Sequence, residues 1–142
     1  MSRKPNSGFS LIELLLVVAI MGIISGIAIP AFLGQRHRAR LIGDAQSNAT
    51  VLRMQLETVK ADAGVYGTKG TTFTWTYLGS VSAGASIFNF TPKGNSRMNY
   101  AVSLPTAGSG LAYNISVTDP TLGGGTVIYT TNQNGSGVIT KY

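Results

Sequence analysis

The 142-residue sequence contains no cysteine, which excludes a disulfide, a thiolate metal site, a thiol nucleophile and covalently attached haem, although it fixes no cellular compartment. Acidic side chains are scarce as well: five Asp and Glu stand against eleven Lys and Arg, with one histidine and a formal net charge of +6. So few carboxylates and imidazoles leave little material for general acid–base or metal-dependent catalysis, and a structural or binding role is the expectation. There is no Walker A or Rossmann glycine pattern, no nucleophile elbow and no paired-histidine metal motif. Gly123-Gly124-Gly125 reads as a loop, because no lysine-bearing helix follows it. No enzymatic activity, cofactor or metal is therefore expected. Charge is low altogether, at 11% of residues against 44% hydrophobic, a balance that points to apolar residues gathered in one segment away from water. The length suits a single globular unit besides that segment.

The segment lies near the N-terminus. Residues 14–35 carry no ionisable side chain, and residues 14–33 would span roughly 30 Å as a helix, the thickness of a bilayer core. The run Leu14-Leu15-Leu16-Val17-Val18-Ala19-Ile20-Met21-Gly22-Ile23-Ile24 has no polar face, so it belongs in lipid or in another apolar bundle. Gly22 and Gly26 stand four apart, a spacing that permits close helix approach. A polar leader with Arg3 and Lys4 precedes the run, Glu13 sits at its entrance and Pro30 near its far end. A carboxylate entering an apolar environment asks for a partner. A proline inside a helix removes one backbone donor and kinks or locally breaks the helix.

Gly8-Phe9-Ser10-Leu11-Ile12-Glu13-Leu14-Leu15-Leu16-Val17-Val18-Ala19-Ile20, followed by Ile27-Ala28-Ile29-Pro30, resembles the type IV prepilin family, which includes the pseudopilins. The elements act jointly: a basic leader, Gly before an aromatic residue, Glu on the fifth residue after that Gly, and Pro near the membrane exit. The resemblance implies cleavage between Gly8 and Phe9 by a prepilin peptidase, N-methylation of the new Phe9 amine, and assembly of the apolar helices into a filament core. It also implies that Glu13 neutralises the Phe9 amine of its own chain or a neighbour's and so fixes axial register. The implied partners are the peptidase and methylase, an assembly platform membrane protein, inner-membrane lipid and other pilin-like subunits. The implied location is the bacterial inner membrane before assembly, then a periplasmic or surface filament.

Two features pull the other way. Gly26-Ile27-Ala28 offers the small residues that a general signal peptidase prefers, and cleavage there would release Ile29 onward as a secreted protein. Arg36, Arg38 and Arg40 outnumber Arg3 and Lys4, so the positive-inside rule alone favours the topology opposite to the one the family implies. Against the first stand Glu13 and the apolar character that runs through Leu33. The arginine run itself suits lipid phosphates at the membrane exit, and its second reading is a polyanion such as nucleic acid. His37 within it has no second histidine to help it hold a metal.

Beyond Pro30, Leu41/Ile42, Ala45, Ala49, Leu52, Leu56, Val59 and Ala63 recur at spacings of three and four, one apolar stripe. Gly64 suits a left-handed helix end and Lys60 the last turn, so the helix should stop near Ala63. Continuous from about Leu11, it would reach roughly 80 Å, which leaves its N-terminal half protruding from any compact head. Asp44-Ala45-Gln46-Ser47-Asn48-Ala49 and Ala61-Asp62-Ala63-Gly64-Val65-Tyr66 also look like pilin segments, with Gly67 where many relatives have proline.

Residues 65–142 include 12 glycines and no long helical pattern. Alternation in Phe73-Thr74-Trp75-Thr76-Tyr77, Phe88-Asn89-Phe90, Tyr100-Ala101-Val102-Ser103-Leu104 and Leu111-Ala112-Tyr113-Asn114-Ile115-Ser116-Val117 predicts strands. A last pair, residues 126–131 and 138–142, flanks the turn signal Asn134-Gly135. Four to five antiparallel strands with one face on the helix stripe are expected, an α+β fold. Trp75, Tyr77, Phe88 and Phe90 are read as sheet core before a ligand platform. After Asp62 only Asp119 carries a carboxylate, too few for a calcium site.

The expected organisation is a leader at 1–8, a hydrophobic transmembrane or filament-core helix at 9–35, an amphipathic helix at 36–64 and a β-rich head at 65–142. Three functions remain: a subunit of a type IV pilus-like filament serving adhesion, motility or DNA uptake; a pseudopilin of a type II secretion system; or an exported DNA- or glycan-binding module.

Overall fold

The computed structural model describes residues 8–94, 97–107, 110–122 and 125–140. The leader with Arg3 and Lys4, the first two glycines of the 123–125 run and the end of the last expected strand at Tyr142 lie outside the described residues. The contact pattern divides the chain into two compact units, Met1–Arg38 and Ala39–Tyr142.

One helix, α1 (Leu11–Ala63), contributes to both. Its start is set by Ser10, whose carbonyl accepts the Leu14 N–H at 3.2 Å. Its end is set by Gly64, at φ +77°, where the N–H donates back to the Lys60 carbonyl at 2.8 Å. That single bond with a left-handed residue just past the helix is the αL stop, which a Cβ would oppose. The helix runs unbroken through Pro30, although the proline offers no N–H to the Gly26 carbonyl. In the first unit every described residue is exposed. The positions that a Cβ would take on Gly22 and Gly26 meet no atom within 4 Å, so neither glycine makes a close approach within this chain.

In the second unit, α1 buries Leu41, Ala45, Asn48, Ala49, Leu52 and Leu56 along one face. The spacing is that of the expected stripe from Leu41 to Leu56 with Asn48 added to it; Val59 packs on the core partly buried, and Ala63, also expected in the stripe, is exposed. Against this face lies a five-stranded antiparallel meander in the order β1-β2-β3-β4-β5. Its strands are β1 (Thr72–Trp75), β2 (Asn99–Ser103), β3 (Asn114–Asp119), β4 (Thr126–Asn132) and β5 (Gly137–Ile139). Phe73, Trp75, Tyr100, Val102, Ile115 and Val117 alternate inward and join the helix stripe in one core, the solution for a sheet with a single apolar face. Full burial of a residue such as Leu52 or Leu56 contributes about 1.5–3 kcal/mol each. The fold is therefore α+β and pilin-like, a long N-terminal helix packed against an antiparallel sheet.

β1 ends at Trp75, so Thr76 and Tyr77, expected in the strand, lie outside it, and three other expected strand segments also differ from what is observed. Phe88-Asn89-Phe90 is not a strand: Ala85–Phe88 forms one turn of 3-10 helix, entered at Gly84 and left at Asn89, both left-handed. With Asn89 turning the chain between them, both rings reach the core. Phe88 meets Phe73 edge-on at 4.9 Å and Phe90 meets Tyr100 at 5.5 Å. Secondly, β3 begins at Asn114 rather than Leu111, because Tyr113 leaves the ladder to set its ring edge-on to Tyr66 at 4.7 Å. Thirdly, β5 ends at Ile139. Pairing of β3 with β4 also slips between Val117 and Thr118, opposite Tyr129 and Val127. This bulge leaves Ile128 as the extra, fully buried residue.

Asn48 ties the helix to the loop before β2. Its amide nitrogen donates to the Lys93 carbonyl at 2.7 Å and to the Tyr100 hydroxyl at 2.8 Å, while its oxygen accepts the Lys93 N–H at 3.0 Å. A buried amide satisfied three times over adds specificity without the cost of an unpaired polar group. Burial pushes the Tyr100 hydroxyl up to about 12; the Asn48 hydrogen bond lowers it and the Asp44 charge raises it further.

Candidate functional site

The residues singled out for processing and assembly lie at the start of α1. Gly8 and Phe9 precede the helix, and Phe9 is 77% exposed. Ser10 is the N-cap residue, and its backbone N–H donates to Glu13 Oε2 at 3.1 Å. Glu13 is then the third helical residue, and Ser-x-x-Glu with the acid reaching back to the cap N–H is half of a capping box. The carboxylate satisfies one of the backbone donors a helix start leaves unpaired and sits at the positive end of the helix dipole. Peptide cleavage between Gly8 and Phe9 would turn the neighbouring nitrogen into an amine one residue before that cap. A carboxylate already folded back over the helix start then lies close along the chain to the new positive charge, which an apolar environment requires to be paired.

The first unit supplies that environment's counterpart. From Phe9 through Leu33 the large apolar side chains are all exposed, Ile27 and Phe32 among them. Part of α1 is long and apolar enough to cross a membrane, with none of that window buried. Such a surface does not persist in water and calls for lipid or other apolar helices.

Arg36, His37, Arg38 and Arg40 follow on α1, all exposed, the first three in the first unit and Arg40 in the second. The four aromatics weighed as a ligand platform separate. Trp75, Phe88 and Phe90 are buried in the core, with Trp75 edge-on to Phe90 at 5.3 Å. Tyr77 alone reaches the surface. Asp119 spends its carboxylate locally, accepting the Thr121 N–H at 2.8 Å and the Thr121 hydroxyl at 2.6 Å.

Residues 3–29 match the model of the prokaryotic N-terminal methylation motif. The chain carries the prepilin methylation motif. This motif is typical of type IV pilins and pseudopilins, which are generally structural rather than catalytic proteins. It covers about a fifth of the chain and includes Gly8, Phe9, Ser10 and Glu13. The prepilin motif and the apolar helix together accord with inner-membrane anchoring and export. No solved structure matches the chain.

Reasoning from charge and spacing found Glu13 but passed over Ser10. The signal was present, since Ser or Thr followed three residues later by Glu before an apolar run is the written form of a capping box.

Proposed function

We propose that this protein is the structural subunit of a type IV pilus-like filament. It is cleaved after Gly8, N-methylated on Phe9, and assembled through the apolar helix of residues 9–33. The single observation that carries this reading is a bilayer-length run of exposed apolar side chains, entered at a carboxylate that caps its own helix and lies within a matched prepilin motif. In assembly, Glu13 neutralises the Phe9 amine, and because the pair is desolvated its geometry sets the axial position of one helix against the next. Arg36, Arg38 and Arg40 contact phosphate headgroups at the membrane exit before assembly. Pro30 relaxes the helix locally where it leaves the bilayer. The prepilin peptidase, the methylase and the assembly platform act on the chain in that order.

The test is Glu13→Ala in the native host, read on two scales. Membrane insertion and cleavage are expected to persist, with mass spectrometry of the N-terminal peptide giving a terminus at Phe9, while incorporation into sheared filaments falls at least tenfold. A wild-type terminus at Ile29 would mean ordinary secretion and defeat the proposal, and normal filaments from the variant would defeat the pairing. In a deletion strain, loss of surface filaments supports the pilus reading. Accumulated secretion substrate with surface filaments intact would assign the same motif to a pseudopilin instead.

A further inference from the structure

We propose that the head carries a binding site for one acidic sugar unit, in the cleft between the turn after β1 and the segment leading into β2. The cleft has a volume of about 270 Å³ and is lined by Thr76, Tyr77, Lys93, Gly94, Arg97 and Met98, among others. That is just below the range of about 300–1,000 Å³ over which pockets for drug-sized ligands fall, and an open cleft of this size suits a single ring.

Both walls are fixed. On one side, Thr76 N–H donates to the Ser80 carbonyl at 2.9 Å and Gly79 N–H to the Thr76 carbonyl at 3.0 Å, with Gly79 at φ +85°. The Tyr77 N–H donates to Asn99 Oδ1 at 3.1 Å, which ties this turn to the start of β2. On the other side, the buried Asn48 amide holds both the N–H and the carbonyl of Lys93. Met98 is 1% exposed and closes the floor. A site whose backbone is held at both walls loses little freedom on binding.

The chemistry of the lining selects the ligand. Lys93 and Arg97 are exposed cations, and neither has an ion pair among the described residues. Arg97 brings a planar fork that matches a carboxylate, and Lys93 a second, mobile positive charge. Tyr77, 42% exposed, lines the cleft and brings an aromatic ring for the ring of a sugar. Asp44 lies behind Gly94, does not line the cleft, and opposes an anion there only from the helix side. The site offers one aromatic face and two cations. A nucleic acid strand would need a succession of stacking rings and phosphate contacts along a track, whereas Trp75, Phe88 and Phe90 are withdrawn into the core. One ring bearing one carboxylate, a uronic acid unit within a surface polysaccharide, uses what is present.

The experiment titrates the full-length chain in detergent micelles with trigalacturonate, following backbone amide shifts. Shifts are expected at residues 76–79, 91–94 and 97–98. Maltotriose, neutral and otherwise similar, is expected to bind about tenfold more weakly, the loss of one charge-assisted hydrogen bond, as is trigalacturonate to Arg97→Gln. Lys93→Gln and Tyr77→Ala are expected to weaken binding severalfold while the unfolding midpoint stays unchanged, since all three side chains are at the surface. No shifts at millimolar trigalacturonate, equal binding of maltotriose, or undiminished affinity in Arg97→Gln would each overturn the proposal. Tighter binding of a thymidine pentanucleotide than of trigalacturonate at the same residues would overturn it in favour of nucleic acid.

Discussion

Two stretches of the same helix obey opposite rules. Up to Arg40 every described residue of α1 is exposed, although its first two dozen positions are nearly all apolar; from Leu41 onward one face is buried while the rest of the helix stays in water. In the second stretch hydrophobicity is periodic and is consumed by the sheet. In the first it has no period, so no single neighbour of the same chain could cover it, and the surface is left for lipid or for other copies of the helix. Helix formation in the first stretch rests on local hydrogen bonding and an apolar surrounding, and in the second on tertiary packing.

The comparison breaks if truncation has the same effect in both stretches. Leu52→Ala removes a fully buried side chain and is expected to destabilise the head by about 2–5 kcal/mol, measured as a shift of the urea midpoint in detergent micelles. Leu16→Ala, at an exposed position, is expected to move that midpoint by less than about 0.5 kcal/mol. Equal effects would mean that burial does not distinguish the two stretches.

Asn48 sharpens the same contrast, because it is a polar residue inside the buried stripe. Asn48→Ala strands the Lys93 N–H and carbonyl and leaves the Tyr100 hydroxyl without that donor, at an expected cost of about 2–3 kcal/mol in the same urea assay. A cost below about 0.5 kcal/mol would show that water replaces the amide.

A smaller expected effect than that of Asn48→Ala is on pH dependence, and it again belongs to the head alone. Tyr100 in the folded chain keeps its proton up to about 12, whereas an unfolded tyrosine loses it near 10. Above pH 10 the unfolded state therefore binds fewer protons than the folded one, and stability falls as pH rises, by about 1.4 kcal/mol at pH 11. Tyr66 and Tyr113, both raised by burial, push in the same direction. Tyr100→Phe is expected to flatten this limb in a series of alkaline unfolding curves.

Much of this architecture could be read from residue spacing. The helix stop at Gly64, the stripe from Leu41 to Leu56 and the antiparallel sheet all follow from local rules of capping and periodicity. Asn48 was not legible, because a polar residue at a stripe position is indistinguishable from an interruption until its two partners, Lys93 and Tyr100, both more than forty positions away, are known. Phe88 and Phe90 imitate a strand because residues two apart share a side, and only the left-handed Asn89 between them shows that the shared side comes from a turn. The bulge at Val117 and Thr118 leaves no trace in composition. Of the site at the helix start, Gly8, Phe9 and Glu13 were visible as a motif. The role of Ser10 is written in the same four residues but concerns its backbone, which charge-based reading does not inspect. Tyr77, Lys93 and Arg97 are ordinary surface residues until the chain brings them to one cleft.

The last strand shows what the lack of cysteine means for the making of this molecule. β5 is held by pairing with β4 from Tyr129–Ile139 to Thr131–Gly137, and the hairpin is closed at Asn132, whose carbonyl accepts the Gly135 N–H at 3.0 Å and whose side chain accepts the Asn134 N–H at 3.0 Å. Gly137 lies so close to the Tyr129 hydroxyl that a Cβ there would collide with it. Closure of this hairpin thus rests on hydrogen bonds, with no oxidant or thiol isomerase in the sequence of events. Making this hairpin accordingly involves no step that responds to the redox poise of its surroundings.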